Sequence, residues 1–148
     1  MNIGFTGTSD GMTGAQRNVV FGFFRWWVTF ANQDDSPIVL VHGDCVGADA
    51  EADAIAATLD IPRILRPCNI SGMRAFCDRL NGGQVFKVHR PTDPMKRNTQ
   101  IVKDVGTLIA TPKGEEVMRS GTWSTVRRAR KYKRQIVIVM PNGEWRTE

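Results

Sequence analysis

Histidine and cysteine are scarce in this sequence and long apolar runs are missing, and each shortage excludes a class of protein. No stretch approaches the roughly 18 consecutive apolar residues of a membrane-spanning helix. The opening Met1-Asn2-Ile3-Gly4-Phe5 has neither the charged nor the apolar region of a signal peptide and reads as a strand. Cys45, Cys68 and Cys77 are odd in number and widely spaced. They form neither a disulfide framework nor a C-x-x-C knuckle, so a reducing cytoplasm is the expected setting. With only His42 and His89 as imidazoles, no metal site is expected, and no cofactor. Three nucleotide and hydrolase signatures are also missing: the P-loop G-x-x-x-x-G-K-[ST], a clean dinucleotide G-x-G-x-x-G, and the G-x-S-x-G nucleophile elbow.

What is present suits one globular domain over 1–148. Hydrophobic residues make up 41% of the chain, enough for a core. Twenty Lys and Arg against fifteen Asp and Glu leave a charge of +5. That balance suits an anionic partner, either a phosphorylated small molecule or nucleic acid.

Strand and helix patterns alternate along the chain. Ile3–Thr6 reads as a buried strand. After a turn-rich loop, Thr13 and Gln16 form a capping box for a helix from Ala15 to Asn32. Val19, Val20, Phe23, Phe24, Trp27, Phe30 and Ala31 share one of its faces. The further apolar residues Phe21, Trp26 and Val28 widen that stripe beyond core needs, so part of the helix is expected to meet a subunit partner. A turn at Asp34-Asp35-Ser36-Pro37 precedes the strand Ile38–Val41. Then come a small-residue helix from Ala48 to Leu59, a strand Arg63–Arg66, a short helix Gly72–Leu80 and a strand Val85–Val88. Asp93-Pro94 starts a helix that runs to about Asp104. A strand Thr107–Thr111, a basic helix Gly121–Lys133 and a last strand Gln135–Met140, ended by Pro141-Asn142-Gly143, complete the pattern. The implied fold is a Rossmann-like three-layer α/β/α domain with a mainly parallel sheet.

In such a sheet, ligands bind beyond the carboxyl ends of the strands, at the switch in strand order. Three loops with unusual composition lie there: Gly7–Gly14, His42–Asp49 and Thr111–Thr122. If the first and fourth strand–helix units flank the switch, the first and third loops face each other. Ser120-Gly121-Thr122 opens a helix whose free N–H groups and dipole suit a phosphate.

Four segments occur together in order: Gly4-Phe5-Thr6-Gly7-Thr8, His42-Gly43-Asp44-Cys45-Val46-Gly47-Ala48-Asp49, Arg97-Asn98-x-x-Ile101-Val102 and Arg119-Ser120-Gly121-Thr122-Trp123. Over nearly the whole chain they resemble the SLOG superfamily, especially its YpsA-like branch. The superfamily also includes the cytokinin-activating phosphoribohydrolases and DNA-processing protein A. The resemblance implies a pocket for nucleotides or nucleotide-derived ligands, and a homo-oligomer. It also implies, in the phosphoribohydrolases, a Pro-Gly-Gly-x-Gly-Thr phosphate loop, an Arg from an earlier helix and a Glu two residues past the Thr. Arg97 matches the Arg, but Ser124 stands where the Glu would be.

Chemistry then assigns the candidate residues. Gly7, Thr8 and Ser9 form the first wall. Ser120, Gly121 and Thr122 hold phosphate, with Arg97 and Arg119 as bidentate partners and Lys113 as a weaker one. Asn98 can read a base or ribose edge. Asp44 and Asp49 can bind ribose hydroxyls, although Asp49 equally suits a helix-dipole role. Gly43 and His42 close the second loop. His42 is either a base or donor, or a strand-end histidine tied to the backbone. Trp123 either stacks on a base or belongs to the core or an interface. The catalytic candidates are Arg97, Glu115 and Glu116. The basic stretch Arg127–Arg134 either contacts nucleic acid or is a solvated helix end. The expected function is binding of a nucleotide-derived signal, with phosphoribohydrolase activity as the alternative.

Overall fold

A computed structural model describes residues 1–31 and 35–148. Asn32 and Asp34, placed above in a helix end and a turn, lie outside the described residues. In chain order the elements are β1 (Asn2–Gly7), α1 (Gly14–Ala31), β2 (Val39–His42), α2 (Ala48–Thr58), β3 (Arg63–Leu65) and α3 (Cys77–Leu80). They continue with β4 (Val85–Val88), α4 (Pro94–Asp104), β5 (Thr107–Thr111), α5 (Gly121–Lys131), β6 (Gln135–Val139) and β7 (Trp145–Thr147).

The strands form one sheet in the order β4-β3-β2-β1-β5-β6-β7. All neighbours are parallel except β6 and β7. The central strands alternate burial between two cores, which is why they read as continuous apolar runs. On one face Ile3, Phe5, Leu40 and Ile109 meet Val20 and Phe24 of α1 and the alanines of α2. On the other, Leu108, Ala110, Ile136 and Ile138 meet Ile101 and Val102 of α4 and Trp123 and Val126 of α5. Ala48, Ala52 and Ala56 are fully buried, and their small side chains let α2 lie close to the sheet.

The capping box forms as expected. Thr13 N–H donates to Gln16 Oε1 at 3.0 Å, and Gln16 N–H donates to Thr13 Oγ1 at 3.1 Å. Asp93 caps α4 by accepting from Lys96 N–H at 3.1 Å, with proline in the first turn.

Four expectations need correction. Phe30 is 47% exposed and not in the core. The helix expected over Gly72–Leu80 exists only as Cys77–Leu80. Its first half runs instead beside the second loop: Val46 N–H donates to Met73 O at 2.9 Å, and Ala75 N–H to Asp44 O at 2.8 Å. Those long-range bonds take the groups that a helix would pair internally. β7 has no counterpart among the expected strands. Pro141-Asn142-Gly143 does not end the sheet. It turns the chain back, with Met140 N–H donating to Glu144 O at 2.7 Å, an arrangement that the Asn-Gly pair signals. Finally, the switch in strand order falls between β1 and β5, so the fifth strand–helix unit faces the first.

Candidate functional site

A cleft of about 380 Å³ opens at the carboxyl ends of β1 and β5. One wall is Gly7-Thr8-Ser9. Opposite it lie Lys113 to Glu115 and the first turn of α5, and the third side is Gly43, Cys45, Asp49, Arg97 and Asn98. Gln16 fixes the wall after β5, because its buried Nε2 donates to both Pro112 O and Val139 O at 2.9 Å.

The α5 end is built by a serine cap. Ser120 Oγ accepts from Trp123 N–H at 3.2 Å, and Ser124 N–H donates to Ser120 O at 2.8 Å. The N–H groups of Gly121 and Thr122 precede the first intrahelical bond, so they remain open at the positive end of the helix dipole. Trp123 is buried to 1% exposure, and its Nε1 donates to Gly114 O at 3.2 Å. Its ring is part of the cleft floor and of the core, which is the second of the two alternatives.

Arg97 is the most heavily built side chain of the cleft. Its Nη1 donates to Gly43 O at 2.7 Å and to Arg66 O at 3.3 Å, and its Nε donates to Asn98 Oδ1 at 2.8 Å. These bonds also fix the Asn98 amide. Gly43 is required here, since a Cβ at this position would run into the Arg97 guanidinium. Asp49 Oδ2 accepts from Gly43 N–H at 3.1 Å and from Cys45 N–H at 3.2 Å. Burial raises the Asp49 carboxyl above its ordinary range. The same burial, with Asp49 close by, pushes the Cys45 thiol up to about 12, so Cys45 is a neutral lining group. Among the described residues, Arg97 Nη2 and Asp49 Oδ1 make no hydrogen bond, and both side chains line the cleft.

Gly47 joins the first and second loops. Its φ of 89° is left-handed, and a Cβ would strike the Ser9 backbone. Gly47→Ala is therefore expected to cost about 1–3 kcal/mol, read as a lower midpoint in urea unfolding.

Two candidates turn out to be elsewhere. His42 is fully buried beneath the second loop and does not line the cleft. Its Nδ1 accepts from Asp44 N–H at 3.0 Å, which leaves Nε2 to donate to Asp53 Oδ1 at 2.8 Å. Asp44 is also fully buried: Oδ1 accepts from Cys77 N–H at 2.8 Å and Oδ2 from Arg74 Nε at 2.6 Å. Both hold the loop's shape, and neither lines the cleft. His42, Asp53 and Cys77 bring potential ligand atoms within 4.8 Å of one another. However, Arg63 Nε already donates to Asp53 Oδ1 at 3.0 Å, and a guanidinium there opposes a cation.

The acidic candidates also part company. Glu115 lines the cleft. Glu116 pairs away from it with Arg127 at 3.3 Å and Arg130 at 2.8 Å. The Ser124 hydroxyl is taken by Arg128 Nη1. Lys113 and Arg119 stand at the rim, and Lys113 meets Asp10 of the first loop at 2.8 Å. The basic helix is less free than its composition suggests, since Arg127, Arg128, Arg130 and Arg134 all bond to carboxylates, hydroxyls or carbonyls. Met73, Val117 and Cys45 line the cleft but were not among the candidates. The pairing of Val46 with Met73 and of Asp44 with Ala75 brings Met73 to the rim, and no local pattern announces it.

No family model and no curated protein matches the chain. Solved structures do. A molybdenum cofactor binding protein from the phototrophic bacterium Rippkaea orientalis aligns with a TM-score of 0.67 at 17% identity, over 94% of this chain and 76% of that one. The structural-genomics target TM1055 aligns with a TM-score of 0.61 at 9% identity, over 91% of this chain and 71% of that one. DNA processing protein A from Helicobacter pylori, described with a single-stranded DNA binding mode, aligns with a TM-score of 0.62 at 16% identity, over 93% of this chain and 64% of that one. At these identities the likeness is one of fold, and the fold of this chain is a Rossmann-like α/β domain.

Proposed function

We propose that this protein binds a nucleotide or nucleotide-derived signal molecule in the β1/β5 cleft, as a cytoplasmic, homo-oligomeric sensor or sequestering protein. The observation that carries this reading is the open first turn of α5 facing Arg97 and Asp49 across one cleft. In this arrangement phosphate meets the Gly121 and Thr122 N–H groups and Arg119. Arg97 Nη2 and Asp49 Oδ1 take a donor–acceptor pair from sugar or base. Among the fold neighbours one is described as binding a cofactor and another single-stranded DNA, so the cleft position is compatible with more than one phosphorylated ligand class.

The test is calorimetry against nucleoside monophosphates, cyclic dinucleotides, ADP-ribose, the molybdenum cofactor and a short single strand. The expected result is saturable binding of one nucleotide-derived member. Folded protein that binds none of them overturns the reading.

Cleavage of a nucleoside monophosphate is the second reading, and Glu115 in the cleft is what favours it. It requires released base from AMP, CMP or GMP and loss of that release in Glu115→Gln. We expect no release, because Ser124 and Glu116 are both engaged by arginines outside the cleft.

A further inference from the structure

An apolar stripe on α1 starts at the core's edge, where Val19 and Phe23 pack against it, and runs out to the exposed Trp26 and Phe30. Val19, Gly22, Phe23, Trp26 and Phe30 follow one another by three and four residues, so they share a face. Trp26 is 54% exposed, and its ring lies 4.8 Å from that of Phe30. Phe23 packs edge-on against Trp145 of β7 at 5.2 Å. Beside these rings runs a groove of about 670 Å³, floored by Gly22 and Val137 and reaching Thr107 and Gln135. It lies at the amino ends of β5 and β6, away from the ligand cleft.

Gly22 is the informative residue. Glycine inside a helix is less stable than alanine, so it needs a compensating reason. None is found within the protomer, because a Cβ at position 22 would meet no described atom within 4 Å. The missing side chain serves something that approaches from outside. A protruding Trp26 lies one helical turn further along the same stripe, so the surface carries both a knob and a hole.

We propose that a second copy of this chain occupies the groove, with its α1 antiparallel to the first. A twofold axis between positions 22 and 26 sets each Trp26 over the other copy's Gly22. Such an isologous contact requires a self-complementary patch. Three half-exposed aromatic side chains, Trp26, Phe30 and Trp145, contribute roughly 300 Å² of apolar surface. That is a fitting centre for an interface of about 800 Å² per partner. The only charged residues of α1 are Arg17 and Arg25, and neither lies on the stripe. A strongly charged partner has nothing to meet there, whereas a charge-poor centre suits a homodimer. This inference gives the homo-oligomer of the preceding reading its interface, and it stands or falls without any ligand.

The test is sedimentation equilibrium on the full chain without ligand. Wild type is expected to be a dimer at micromolar concentration. Gly22→Leu fills the hole from a Cβ position clear of the protomer's own atoms by 4 Å, and should raise the dissociation constant roughly tenfold or more while circular dichroism stays native. Trp26→Glu should do the same, and Phe21→Glu, on another face of α1, should leave the dimer intact. In a mixture of Gly22→Cys and Trp26→Cys chains, the antiparallel arrangement predicts a mixed disulfide between protomers. A monomeric wild type overturns the proposal, as does a dimer that Gly22→Leu leaves unchanged.

Discussion

Asp53→Asn is expected to destabilise the fold by about 3–5 kcal/mol, the usual consequence of removing one partner from a buried ion pair. The reason is local. Asp53 and Arg63 are both fully buried. Arg63 reaches Asp53 through Nε at 3.0 Å and Nη2 at 3.3 Å, while His42 Nε2 and Asn81 Nδ2 each approach the same carboxylate at 2.8 Å. Neutralising Asp53 leaves a guanidinium in the interior without a counter-charge. In a chain of this size the melting temperature should fall by roughly 10 °C.

The acid dependence follows from the same cluster. Burial alone would raise the Asp53 carboxyl, but the hydrogen bonds from His42, Arg63 and Asn81 outweigh it and hold it below its ordinary 3.8. A carboxyl lowered in the folded state binds its proton less readily than in the unfolded chain. Its contribution is therefore fully present above the unfolded value and is lost as pH falls through the folded one. The stability gap between wild type and Asp53→Asn should be constant near neutral pH and shrink below about pH 4. Urea unfolding at a series of pH values measures it, and a gap that widens in acid would contradict this account.

Arg97→Ala is the second large effect. On the proposed reading it should weaken the nucleotide that binds in calorimetry by roughly 30-fold or more, the order expected when a buried, hydrogen-bonded cation is truncated. Arg97→Lys should recover only part of the loss, since an ammonium keeps the charge but not the fork that spans Gly43 O, Asn98 Oδ1 and the cleft. That partial rescue separates a binding role from a merely structural one, which a folding measurement on both variants would expose. Arg97→Ala with unchanged affinity would remove Arg97 from the site.

Much of the fold was legible because its signals are local. Apolar runs such as Ile38–Val41 mark strands covered on both faces, Thr13 with Gln16 marks a helix start, and Asp93-Pro94 marks another. Each is set by backbone sterics or a hydrogen bond within three residues, so it survives without knowledge of the rest. The order of the three glycine-bearing loops after their strands was legible for the same reason. The segment Met73–Phe76 was not, because its conformation depends on bonds to Asp44 and Val46 some thirty residues earlier. β7 was signalled by Asn142-Gly143 but is short and exposed, without the apolar alternation that marks a strand.

Within the second loop, His42, Asp44 and Asp49 look alike in sequence, as polar residues around glycines. Only the tertiary structure separated them. The strand turns His42 towards Asp53 and Arg63, and the left-handed Asp44, with φ of 54°, points to Cys77 and Arg74. Asp49, at the start of α2, is left to face the cleft with Arg97. The sequence by itself determined the alternation of strands and helices, the small residues of α2 and the start of α5 at Ser120, since periodicity and capping act over a few residues. Which polar side chains line the cleft and which meet each other was decided by packing between elements distant in the chain, through burial and pairing that no local pattern encodes.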